Sequence, residues 1–71
     1  MSEITKTKLL AMIDNEMQQV VGDISNETLW ANGSTTKEGC QMHYDNVADL
    51  VEYQTLLLIM RKQIVEGEFN V

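Results

Sequence analysis

The sequence predicts an all-α protein with two long antiparallel helices, at about residues 3–21 and 46–66, joined by a long, partly structured connection and assembled as a dimeric helical bundle. Three observations lead there. Apolar residues near both ends recur at alternating steps of three and four, the spacing that gathers side chains on one side of a helix. The two stretches have similar lengths, each roughly 30 Å at about 1.5 Å per residue, which suits antiparallel packing. Five consecutive apolar residues, Leu56 to Met60, require more cover than one neighbouring helix supplies.

In the first helix the stripe is Leu10, Ile13, Met17, Val20 and Ile24, widened by Leu9 and Val21. Ser2 is placed to accept a hydrogen bond from a free N–H of the first turn, and Glu3 suits the positive end of the helix dipole. Gly22 is the expected terminator, because glycine readily takes the left-handed conformation that ends helices.

The connection, residues 23–44, exceeds the roughly 12 to 15 residues beyond which structureless loops become uncommon in compact domains. One reading places a short helix at Asn26 to Ala31, with Ser25 as N-cap and Asn32-Gly33 as its end. The other is α+β, with a small hairpin within 28–44 that pairs Thr28–Ala31 with Cys40–Tyr44, where Cys40, Met42 and Tyr44 alternate with Gln41 and His43. The helix is preferred, since Asn and Glu in the first of these runs are poor strand residues. The tract Asn32–Gly39 is loop in both. Leu29, Trp30, Met42 and Tyr44 are expected to cover a second side of the last helix.

That helix is expected to start at an Asp45 cap and to end at Gly67. Leu50, Tyr53, Leu57, Met60 and Ile64 repeat the three-four spacing, with Val47, Val51, Leu58 and Val65 alongside. Asp45, Asp49 and Glu52 form an acidic stripe, and the same row becomes apolar at Leu56 and Ile59. The helix is thus one-sided in its first half and apolar all round in its second. Leu56, Leu57, Ile59 and Met60 are therefore assigned to an oligomer interface, most simply a two-fold dimer.

A single domain spanning residues 1–71 lies near the lower size limit for a fold without disulfides, metals or self-association, which again favours a homodimer or higher homo-oligomer. Eleven acidic residues against five basic ones give a formal charge of −6. That balance leaves no basic footprint for nucleic acid and disfavours anionic membranes. It suits a protein partner with a basic surface, including one that normally holds nucleic acid. The lone cysteine, the lack of a leader-like apolar run and the lack of a membrane-length one set the expected location as cytoplasmic.

Chemistry is sparsely encoded. Cys40-Gln-Met-His43 has the spacing of half a tetrahedral zinc site, but the chain holds no second Cys or His, so neither a metal nor a cofactor is expected. The same pair lacks an oxyanion hole and a group to orient the base, so no catalytic residue is assigned and an enzyme is not expected. Asn26-Glu-Thr28 and Asn32-Gly-Ser34 match the glycosylation sequon by chance, and the methionines serve as adaptable packing. Trp30 is the residue most open to a binding role, because tryptophan is enriched among interface anchors.

The resulting expectation is a non-enzymatic, small acidic protein that binds and regulates or inhibits another intracellular protein, with acidic mimicry of nucleic acid as one version. Its expected partner-binding residues are Trp30, Asp45, Asp49 and Glu52. Two alternatives belong to other classes: a small-ligand-sequestering oligomer with a pocket lined by Trp30, His43 and Tyr44, and a structural assembly component packed through Leu56–Met60. Small regulators of viral or mobile-element origin share this texture, but texture is not a motif.

Overall fold

The computed structural model describes residues 2–67; the outermost parts of the expected domain, residue 1 and residues 68–71, lie outside the described residues. It is an all-α hairpin of two helices that pack against each other, α1 (Glu3–Gly33) and α2 (Lys37–Glu66). Only Ser34, Thr35 and Thr36 separate them, and the hairpin measures 51 × 16 × 13 Å. Among the described residues no helix is long and apolar enough to cross a membrane.

Both helices are about ten residues longer than their patterns indicate. Helix α1 does not end at Gly22, which lies in its interior, and Ser25 caps nothing because the expected short helix is the last third of α1. Asp45 lies more than two turns inside α2. The long connection is therefore a three-residue turn, and the hairpin alternative fails, since no strand forms among the described residues. Leu29, Trp30, Met42 and Tyr44 extend the two helices instead of folding back over α2, and all four remain exposed.

The ends explain why the helices stop where they do. The Ser2 hydroxyl accepts from the Thr5 N–H at 3.1 Å, as its position predicts. At the turn, the Ser34 N–H donates to the Ala31 carbonyl at 3.3 Å, and its hydroxyl donates to the Trp30 carbonyl at 2.8 Å. Thr36 is the true N-cap of α2, accepting from the Gly39 N–H at 3.0 Å. A Cβ on Gly39 would lie 2.9 Å from that Thr36 oxygen, so a larger residue there would require the Thr36 hydroxyl to shift. Gly67, at φ 74°, closes α2 with its N–H directed at the Gln63 and Ile64 carbonyls. The Lys6 ammonium reaches the Val65 carbonyl at 3.4 Å, placing a positive charge on the negative end of the α2 dipole.

One seam joins the helices. From α1 it takes Ile13 and Val20, with Leu9, Leu10, Met17 and Ile24 packed beside them; from α2 it takes Leu57 and Ile64, with Leu50 beside them. Along α2 the row Leu50, Leu57 and Ile64 is the centre. Gln54 and Arg61 border it on one edge, while Tyr53 and Met60, each about two-fifths exposed, border it on the other. A seven-residue repeat sustained along both helices is the pattern of coiled-coil packing.

Candidate functional site

The continuous apolar cluster ends before the turn, where Ala31 is buried separately from it. Seven residues beyond Val20 the α1 row reaches Glu27, and seven before Leu50 the α2 row reaches His43. The two side chains meet, with His43 Nδ1 2.6 Å from Glu27 Oε2, both about four-fifths covered. The Asn46 amide donates to the same carboxylate oxygen at 3.3 Å. The hydrogen bond from His43 holds the Glu27 carboxyl below its ordinary value of 4.5, against a smaller opposing effect of burial, and the Asn46 bond lowers it further. The Trp30 ring lies 5.9 Å from the His43 ring, tilted by 54°.

Two hydrogen-bonded pairs mark the two long edges of the hairpin. On the first edge the Tyr53 hydroxyl donates to Glu16 at 3.0 Å, which raises the Tyr53 pKa because ionisation would place a phenolate beside a carboxylate. Nearer the turn, the same edge holds an open groove of about 320 Å³ lined by Asp23, Asn26, Glu27, Trp30, Asn46, Asp49 and Leu50. On the second edge the Arg61 guanidinium donates to Asp14 at 2.8 Å, and the carboxylate raises the Arg61 pKa.

The groove brings together two of the four residues expected to contact a partner. Trp30 is half exposed on its wall, and Asp49 lines the opposite helix. Asp45 and Glu52 are exposed on α2 but do not line it, and Asp45 accepts from Gln41 at 2.9 Å. The expected oligomer residues divide differently. Leu56, Ile59 and Met60 are exposed, whereas Leu57 is buried against α1 and its side chain is committed to the hairpin core. Of the residues suggested for a ligand pocket, Trp30 and His43 adjoin, while the Tyr44 hydroxyl turns to Asn32 at 2.8 Å.

Asp23, Asn26, Glu27 and Asn46 are site residues that sequence reasoning passed over. Glu27 had a usable signal, since it occupies the seventh place after Val20, itself seven after Ile13, and is therefore a polar residue in a core position. Cys40 is a half-buried free thiol, and His43 turns its Nδ1 to Glu27. Among the described residues, no three His, Cys, Asp or Glu side chains converge as a metal site. No family model, curated protein or solved structure matches the chain.

Proposed function

We propose that the protein is a non-enzymatic acidic interaction module that self-associates and binds a basic surface of another protein, regulating or inhibiting it. The observation that carries this reading is the groove beside Trp30, where a half-exposed indole stands among the carboxylates of Asp23, Glu27 and Asp49. An indole face and nearby carboxylates are complementary to the guanidinium and ammonium groups of a basic partner. The exposed Asp45 and Glu52 extend the same negative field along α2 and steer encounter from outside the groove. A partner that ordinarily holds nucleic acid fits this field, so inhibition by charge mimicry is the specific form of the reading.

Trp30 is the only tryptophan and reports binding directly. Stopped-flow fluorescence with an arginine-rich peptide, and with a glutamate-rich peptide as control, tests the reading across a salt series. The on-rate for the basic peptide is expected to fall steeply with salt and to drop when Asp45, Asp49 and Glu52 become Asn, Asn and Gln. Trp30→Ala, followed by anisotropy of a labelled peptide, is expected to raise the off-rate. An on-rate that is flat with salt and indifferent to the triple change would reduce the acidic surface to a source of solubility.

A further inference from the structure

The groove on the first edge draws its walls from both helices. Helix α1 brings Asp23, Asn26 and Trp30, α2 brings Asn46, Asp49 and Leu50, and among the described residues no lysine or arginine lines it. In an antiparallel pair the Cα–Cβ bonds of the two helices tilt in opposite directions, each toward its own N-terminus. Trp30 stands in the last turn of α1, whereas Asp49 lies well inside α2 and farther from the connection. The indole and the carboxylate therefore lean toward each other along the groove.

Bonds already made within the site decide which atoms are free. Glu27 is committed, since its Oε2 meets both His43 and the Asn46 amide nitrogen. With its nitrogen so used, Asn46 keeps its side-chain oxygen as an acceptor. Asp23 and Asp49 form no ion pair among the described residues. The groove thus presents acceptor oxygens beside a half-exposed indole.

Resting on the basic-partner reading above, we propose that this groove is an arginine site: it takes an exposed arginine of the partner protein, stacked on Trp30 and bonded to Asp49, in preference to a lysine.

A guanidinium is flat, weakly hydrated and carries five N–H donors in one plane. One face can lie on an indole while an edge reaches a carboxylate through two parallel bonds. A lysine ammonium is a compact, strongly hydrated charge with three donors and no face to stack. In a groove open to water it keeps its hydration, and the attraction that it shares with arginine is screened by salt. Stacking on Trp30 and the paired bonds to Asp49 are what separate the two cations. Leu50, half-buried in the same groove, gives the aliphatic stem an apolar contact, and Asp23 keeps the field negative farther along.

The test uses the full chain and labelled Gly-Ser peptides that carry arginine, lysine or asymmetrically dimethylated arginine at the same places, so that charge is constant. Anisotropy is expected to give a dissociation constant about tenfold lower for arginine than for lysine. That ratio is expected to persist as salt rises while both affinities fall. Dimethylation keeps the charge but blocks the paired bonds, and is expected to remove most of the advantage. Trp30→Leu and Asp49→Asn, with helicity checked by circular dichroism, are each expected to bring the arginine and lysine peptides closer to equality. The wild-type comparison stands even if a variant unfolds. Equal affinity for the two peptides, or a preference unchanged in a folded Trp30→Leu, overturns the arginine assignment and leaves the basic-partner reading in place. Absence of binding to every peptide overturns both.

Discussion

The two long edges of the hairpin share one core, both expose apolar side chains, and they differ in how their charges are paired. Along the edge marked by Glu16 and Tyr53, Asp23 and Asp49 have no ion-pair partner among the described residues, and Trp30 stands half exposed between them. Along the edge marked by Asp14 and Arg61, the carboxylate is paired and the adjoining row is Val51, Leu58 and Val65. Exposed apolar area gains free energy from being covered by its own kind, and exposed unpaired charge gains it from opposite charge. We propose the first edge, with its unpaired carboxylates, as the one that meets a basic partner.

The comparison breaks most completely at the core that both edges share. Leu57→Ala removes a side chain that is 5% exposed and is expected to cost about 2–5 kcal/mol, enough to abolish both assembly and binding. Urea unfolding followed by circular dichroism measures it. A loss below about 1 kcal/mol would mean that the seam is not the principal source of stability.

Neutralising one edge sharpens the contrast. Asp23→Asn with Asp49→Asn is expected to lower the affinity for an arginine-rich peptide several-fold, on the order of the tenfold that 1.4 kcal/mol represents, while sedimentation shows unchanged assembly. Equal effects on binding and assembly would show that the edges are not independent.

A smaller change concerns α1 between the two edges. A Cβ on Gly22 meets nothing within 4 Å, and glycine inside a helix costs about 0.5–1 kcal/mol relative to alanine. Gly22→Ala is expected to stabilise the chain by that amount in urea, with peptide binding unchanged. Destabilisation would show that the helix is interrupted there in solution, as its sequence first suggests.

The smallest effect is in acid. Because the folded-state pKa of Glu27 lies below its ordinary value of 4.5, the stabilisation it brings is fully present above that value and is lost as pH falls through the lowered one. Wild type is therefore expected to lose stability over that interval relative to Glu27→Gln, and thermal melts at stepped pH compare the two. A constant difference between them across the interval would exclude the link.

The sequence alone determined what depends on local chemistry. The three-four spacing of Leu10, Ile13, Met17, Val20 and Ile24 is enough to make α1 helical and to choose its buried side, because helical geometry gathers those positions whatever they pack against. Ser2 and Gly67 cap their helices through bonds to residues within four places of themselves. Gly22 and Asp45 misled for the opposite reason. Terminators and caps are weak preferences, of order 1 kcal/mol, and packing against a second helix overrides them.

Only the tertiary structure decided how far the seam runs and which polar residues enter it. Glu27 and His43 are poor core residues taken singly. They lie sixteen positions apart, and each is acceptable in the interface because the other supplies its hydrogen bond. Asp14 and Arg61, forty-seven positions apart, also pair across the helices, but on an exposed edge where water could satisfy either one alone. Periodicity registers a polar residue as a break in the stripe. The partner that makes the break tolerable comes from the opposite helix, at a position fixed by how the two helices align.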